Sequence, residues 1–198
     1  MEFLIYELTA EALHLGERAK GNLFKPCVRT IPYSGISGAL SRQFGPIQAV
    51  GFLEKGIDVE ILTYAPRERV ADSSKIPLQV EYLVDVLATV VVVPGEAAGA
   101  LPTRFPVALG GMRSRGFGRA EMKFRERSES RTRQGRLRVR LPEKAASAFG
   151  VVKVLAPVYG YLFEPTPGTH TGVYVRSLFE GSRAVAPEVL LKLDGGML

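Results

Sequence analysis

The sequence predicts an α+β fold in which strands dominate, and three segments carry that prediction. Residues 3–15 (FLIYELTAEALHL) mix β-forming residues with Glu and Ala and fit a strand ending near Gly16. Residues 34–44 (SGISGALSRQF) place Ile36, Ala39, Leu40 and Phe44 at helical spacing, with Ser34 or Ser37 as N-cap and Gly45-Pro46 as the stop. Residues 78–93 (LQVEYLVDVLATVVVV) are rich in β-branched side chains and read as one long strand or a hairpin.

The other elements fall between these. Gly21, Asn22 and Pro26 make 16–30 a loop, and 47–52 and 57–64 read as strands joined around Lys55-Gly56. Residues 65–77, polar with two prolines and a serine pair, form a loop or insertion. Residues 96–101 allow a short helix, and a strand follows at about 119–124. The order is β-α-β-β-α-β over residues 1–127, the ferredoxin-like (RRM-like) arrangement. Residues 128–198 make a smaller, β-rich C-terminal subdomain packed on the first, with strands at 136–141, 151–163 and 173–179 and a short helix at 143–149. No linker of disordered composition and no solenoid repeat divides them.

Composition narrows the function. With 198 residues, 46% hydrophobic and 23% charged, the chain suits one domain or two small ones. The single cysteine, Cys27, excludes an internal disulfide and points to a reducing compartment. No apolar run approaches the ~20 residues of a membrane span, and Met1-Glu2-Phe3 opens no secretory signal. A cytoplasmic protein with no membrane partner is expected.

The net charge of +6 is unevenly placed. Residues 113–140 hold eleven Lys/Arg against Glu121, Glu126 and Glu129, while the rest of the chain carries 15 basic and 17 acidic residues. Such a segment favours a polyanion, because each neutralised phosphate releases counterions. Arginine also pairs two phosphate oxygens at once and stacks on bases. The competing reading is surface ion pairing, which three local glutamates do not satisfy. Arg125, Arg127, Arg131 and Arg133 are therefore expected to extend an RNA track.

Two motifs sharpen this. In residues 110–119 (GGMRSRGFGR), Gly110, Gly111, Gly116 and Gly118 let the backbone approach another backbone and offer amides as an anion nest. Arg113, Arg115 and Arg119 supply cations, and Phe117 supplies a stacking face. A P-loop is excluded, since Phe117-Gly118 stands where Lys and Ser/Thr are needed. Arg115-Gly116-Phe117-Gly118 matches the first half of the RNP1 pattern, while residues 119–122 replace its aromatic positions. In residues 31–40 (IPYSGISGAL), Ser34, Ser37 and Gly38 leave a helix start approachable, with amides that can hold a phosphate.

Together these stretches resemble the RAMP superfamily of CRISPR-associated proteins. Its first helix opens on a pattern like I-P-G-S-S-L-x-G-A-L, matched by Ile31, Pro32, Ser34, Gly38, Ala39 and Leu40; Tyr33 and Gly35 depart from it. Its glycine-rich loop, of the kind G-G-x-x-S-x-G-x-G, corresponds to Gly110, Gly111, Ser114, Gly116 and Gly118. The resemblance implies a ferredoxin-like fold, crRNA as ligand and other CRISPR effector subunits as partners. The layout looks most like the subunit that caps the crRNA 5′ handle in type III effectors, which is generally non-catalytic. Target-cleaving subunits place an aspartate before the first-helix motif, and residues 16–30 contain none. The alternative within the superfamily is a metal-independent endoribonuclease processing CRISPR RNA, in which His14, Tyr33 and Lys20 would carry the proton transfers. Those enzymes usually end soon after the glycine loop, whereas 80 residues follow Gly118 here.

The chemistry-bearing residues are otherwise sparse. His170 lies in a turn between Pro167 and Gly172, and one Cys, two distant His and four Asp offer no metal-ligand spacing. No metal and no cofactor is expected. RNA binding without catalysis is the leading expectation.

Overall fold

Along the first strand, Leu4, Tyr6, Leu8 and Ala10 alternate with Phe3 and Ile5, and both sets are buried, in two separate hydrophobic cores. A strand covered on both faces reads as a continuous apolar run, and beyond Tyr6, where one face opens, the run gives way to alternation. The computed structural model that shows this describes residues 1–16, 23–54, 58–65, 67–68, 73–74, 76–166 and 171–193. Lys20, His170 and the turn at Lys55-Gly56 lie outside the described residues.

The strands are β1 (Glu2–Leu13), β2 (Phe24–Lys25), β3 (Ala49–Leu53), β4 (Val59–Tyr64), β5 (Arg67–Glu68), β6 (Ser73–Ser74), β7 (Leu78–Val92), β8 (Arg104–Ala108), β9 (Arg119–Glu129), β10 (Thr132–Leu137), β11 (Leu141–Pro142), β12 (Lys153–Ala156), β13 (Tyr159–Pro165), β14 (Gly172–Leu178), β15 (Arg183–Pro187) and β16 (Leu191–Lys192). The helices are α1 (Tyr33–Phe44) and the one-turn α2 (Glu96–Gly99). The protein is thus mostly β-sheet with few helices, an α+β-like class.

The main sheet runs β2-β7-β1-β9-β8, with β3 and β4 also on β7. Within 78–93, residues Leu78–Val92 form one strand rather than a hairpin. The strands read at 47–52 and 57–64 are present as β3 and β4 and both pair with β7: β3 with Val92 to Ala88 and β4 with Leu83 to Leu78, so the two follow one another along the same edge. Asp85 sits at the junction with φ 48. The strand β8, bonded to β9, falls in a stretch the sequence reading left unassigned.

Helix α1 covers one face of the sheet through Ile36 and Leu40. Neither Ser34 nor Ser37 caps it. Pro32 is the N-cap, with φ −69 and ψ 147, and the Tyr33 amide donates to the Arg140 carbonyl at 3.2 Å. A tertiary carbonyl does what a capping hydroxyl would do. The hydroxyl of Ser37 instead donates to the Ala49 carbonyl (2.8 Å) and accepts from the Ala49 amide (2.9 Å), pinning the helix to β3.

The opposite face of the sheet is covered by the C-terminal part. Leu137, Val139, Leu141, Phe149, Leu178, Ala184 and Leu190 pack against Phe3, Ile5, Val50, Phe52 and Val91. That part is built from a four-stranded sheet β12-β15-β10-β16 and a three-stranded sheet β11-β14-β13. The expected strand 151–163 is divided into β12 and β13, and the short helix at 143–149 is a single 3-10 turn at Glu143–Ala145.

Candidate nucleic-acid interface

The 110–118 loop joins β8 to β9 and is held by backbone. The amides of Gly111 and Gly118 donate to the carbonyls of His14 (2.9 Å) and Ala12 (3.0 Å), and the Leu109 amide donates to the Gly118 carbonyl (2.9 Å). Gly110 and Gly118 have φ of 83° and 85°, and a Cβ on either would stand 2.5 Å from the His14 oxygen or 2.4 Å from the Leu109 oxygen. Only glycine satisfies both demands. These bonds correct the expectation of an amide nest: Gly111, Arg115, Gly116 and Gly118 all spend their N–H groups on protein carbonyls. Those four amides are engaged within the protein.

Arg113, Arg115 and Arg119 are exposed, and no acidic side chain among the described residues pairs with them. The Arg115 guanidinium lies over the Tyr64 ring, 4.8 Å from its centroid. Phe117 is different. It is buried, its ring packed 4.9 Å from that of Tyr82, so the expected base-stacking face is covered. Phe117 anchors the loop onto β7. Ser37, bonded on both sides to Ala49, is likewise buried away from ligand.

A cleft of about 450 Å³ opens between the start of α1 and this loop. Ser34, Gly35, Gly38 and Arg42 form the helix wall, and Gly110, Gly111 and Arg113 the loop wall. A Cβ at Gly38 would meet nothing within 4 Å, so the chain's own packing does not require glycine there. The third wall is aromatic: Tyr161 and Phe163 of β13 and Tyr174 of β14, with Tyr161 65% and Tyr174 59% exposed. Phe163 and Tyr174 are directly opposite in the ladder, their rings 5.5 Å apart and edge-on. Sequence reasoning missed these tyrosines and Arg42. The signals were present, as period-two aromatics in YGYLF and as helical spacing of Gly35, Gly38 and Arg42.

Arg140 also lines the cleft. Its guanidinium donates twice to Glu180 (2.6 and 2.7 Å) and lies 4.3 Å over Phe179. Burial alone would raise the Glu180 carboxyl, but the hydrogen bonds and charge of Arg140 outweigh it and hold the carboxyl below its ordinary value.

The arginines proposed to extend the track are placed otherwise. Arg125 pairs with Glu7, Arg127 with Glu2 (3.2 Å), Arg133 with Glu188 (3.5 Å) and Arg138 with Glu54 (3.6 Å). Arg131 is exposed, and its carbonyl accepts from the Glu188 amide. The neutralising acids come from β1, the 3-10 turn after β15 and the end of β3, so counting glutamates within 113–140 misjudged the balance. Surface ion pairing describes Arg125, Arg127, Arg133 and Arg138.

Of the residues of the nuclease alternative, His14 and Tyr33 sit in different surroundings. His14 is 6% exposed, and its Nδ1 lies 2.7 Å from the Glu81 carbonyl, which can only accept, so Nδ1 carries the proton. The ring braces Gly16 and Gly111 from beneath the cleft. Tyr33 packs its ring edge-on against Phe149 in the other core, and burial, then Glu164, push its phenol above the ordinary value. Lys20 lies outside the described residues. Cys27 is half-buried, and burial raises its thiol, which leaves it a poor nucleophile. No helix among the described residues is long and apolar enough to cross a membrane.

No family profile and no curated protein sequence matches the chain. Among solved structures, the chain is similar to one in a cryo-EM structure of the type III-B Cmr-beta bound to cognate target RNA and AMPPnP, with a TM-score of 0.56 and 10% identity over 93% of this chain and 86% of that one. A chain of a CRISPR RNA-guided surveillance complex aligns over 98% of this chain and 94% of its own at 14% identity, with a TM-score of 0.49. The fold of this protein is therefore similar to that of a chain in the type III-B Cmr-beta structure.

Proposed function

We propose that this chain is an RNA-binding subunit of a CRISPR ribonucleoprotein, holding a single-stranded segment of crRNA in the cleft between α1 and the 110–118 loop. In this reading the chain belongs to the RAMP superfamily. Residues 1–127 are a ferredoxin-like domain and 128–198 a subdomain packed on it. The order β9-β1-β7-β3, with α1 after β1 and α2 after β7, supports the ferredoxin-like assignment. The glycine-rich loop and the helix start flank the RNA, Arg42 and Arg113 meet phosphates, and other effector subunits contact the exposed remainder.

The observation that carries this proposal is the pairing, in one furrow, of cations on two walls with tyrosine faces on the third. Phosphates on one side and splayed bases on the other is how single strands are gripped. The role is binding rather than cleavage: His14 is enclosed and Tyr33 is engaged in the other core.

The test is fluorescence anisotropy with a labelled single-stranded RNA of about 6 nucleotides, within the range such platforms occupy. Each stacked base is worth about 1–3 kcal/mol, so Tyr161→Ala combined with Tyr174→Ala weakens binding at least about tenfold. Unchanged affinity overturns the reading. A discrete product in EDTA that vanishes with His14→Ala installs the endoribonuclease in its place.

A further inference from the structure

The aromatic wall of the cleft continues past the cleft itself. On β13, Tyr159, Tyr161 and Phe163 alternate with Gly160 and Leu162, so the three rings project from one face. The β14 residues directly opposite them are Leu178, Arg176 and Tyr174, which share that face. Tyr161, Phe163 and Tyr174 line the cleft, and Tyr159 and Arg176 carry the same face beyond it. Tyr161 is the rung the two parts share.

Arg176 stands opposite Tyr161 but reaches diagonally, and its guanidinium lies over the Tyr159 ring, 3.7 Å from the centroid. Its Nε is at the same time 3.4 Å from a carboxylate oxygen of Glu143, so the planar head is held at two points. The side chain is still 52% exposed, and Tyr161 beside it is 65% exposed. Because Glu143 offsets the charge, what Arg176 presents to a ligand is its plane more than its charge. A guanidinium fixed before any ligand arrives loses little freedom on binding, and its plane stacks on nucleic-acid bases as an aromatic ring does.

We propose that Arg176, supported by Tyr159, stacks on one RNA base immediately outside the cleft, next to the base that lies on Tyr161. The proposal rests on the reading of the cleft as an RNA site and adds one nucleotide to its footprint. Directly opposite residues have Cβ atoms about 5 Å apart, more than the roughly 3.4 Å between stacked neighbours, which suits bases splayed from one another. The contact is made to the flat face of a base, so any of the four is accepted. An apolar protein segment is the poorer occupant. It would strip water from the guanidinium and offer its N–H groups no acceptor.

The experiment uses the full chain and two labelled strands of about 12 nucleotides, an oligouridylate and a strand of the same length that is abasic throughout. Affinities are read by fluorescence anisotropy for wild type, Arg176→Lys and Tyr159→Leu. Arg176→Lys keeps the charge and removes the plane, and Tyr159→Leu removes the ring beneath it. Each weakens binding of the oligouridylate at least about fivefold, the loss of one stacked base, and leaves the abasic strand unaffected. Equal loss for both strands overturns the proposal, since Arg176 would then act on the sugar–phosphate backbone. No loss for either strand overturns it as well. The cleft is tested apart from this with Tyr161→Ala/Tyr174→Ala. If that variant binds the oligouridylate as wild type does while Arg176→Lys does not, the cleft reading fails and the Arg176 platform remains. If only the cleft variant loses affinity, the platform alone is refuted.

Discussion

Arginines of the 110–118 loop and arginines of β9 are neighbours in sequence and opposites in environment. Arg113 and Arg115 stand on a turn whose flanking residues are glycines and whose backbone is tied to the carbonyls of Ala12 and His14, and no carboxylate among the described residues pairs with them. Arg125 and Arg127 stand on a strand bonded along its length to β1, which presents Glu2 and Glu7. The register shifts between Ile5 and Tyr6 and leaves Arg125 as the extra residue, beside Glu7. Both pairs of arginines have the same i, i+2 spacing in the sequence. What separates them is whether the next strand carries acids, a property of the pairing partner rather than of the segment.

The same contrast divides the aromatics, and the largest expected effect tests it. Phe117 is buried on Tyr82, whereas Tyr161 is 65% exposed at the cleft. Emptying a buried Phe site costs about 3 kcal/mol, so Phe117→Ala lowers the unfolding midpoint by about 6–12 °C in a chain of this size. Tyr161→Ala changes the stability by less than about 0.5 kcal/mol. Thermal denaturation of both variants measures this. A Phe117→Ala protein of wild-type stability with weakened RNA binding would return Phe117 to the ligand.

What was legible in the sequence follows from the range of the forces involved. Long strands with both faces covered were visible as apolar runs, as in residues 3–6 and 90–92, because burial on two sides leaves no polar alternation. The glycines at 110 and 118 were visible because a close backbone approach excludes a Cβ whatever the partner. The N-cap was misplaced because its function passed to the Arg140 carbonyl, over a hundred residues away in the chain. The tandem arrangement of β3 and β4 on β7 was hidden because each has an ordinary strand pattern, and the choice of edge is made by β7. The cleft's tyrosines lay in a region read as a reduced subdomain, and only its fold over α1 brings them to the loop.

An intermediate effect sharpens the comparison of the arginines directly. Arg113→Gln/Arg115→Gln removes two cations that no acid among the described residues pairs, and lowers the salt slope of RNA binding by about 1.4. Arg125→Gln/Arg127→Gln removes two that already have carboxylate partners. It changes the slope by less than about 0.3 and stability by at most about 1 kcal/mol, the range of exposed ion pairs. Both pairs are titrated with the same oligouridylate over one salt range. Equal losses would mean that the β9 arginines leave their glutamates for RNA, and the distinction between the regions would fail.

Arg140 belongs to both classes, since it lines the cleft and is forked onto Glu180. The folded Glu180 carboxyl lies below its ordinary value, so the folded state binds that proton less readily than the unfolded chain. The pair's contribution is therefore complete above the ordinary glutamate value of about 4.3 and is lost as pH falls through the lower folded value. Glu180 is 38% exposed against 14% for Arg140, and water screens the interaction. The expected difference in midpoint between wild type and Glu180→Gln is about 1–2 °C from pH 8 to 5, closing below about pH 4. A difference that persists at about pH 3 would assign the effect to packing against Phe179 instead of charge. Closure would show that the charge of the Glu180 carboxylate carries the pair's contribution, a cleft arginine engaged by an acid as Arg125 and Arg127 are by Glu7 and Glu2.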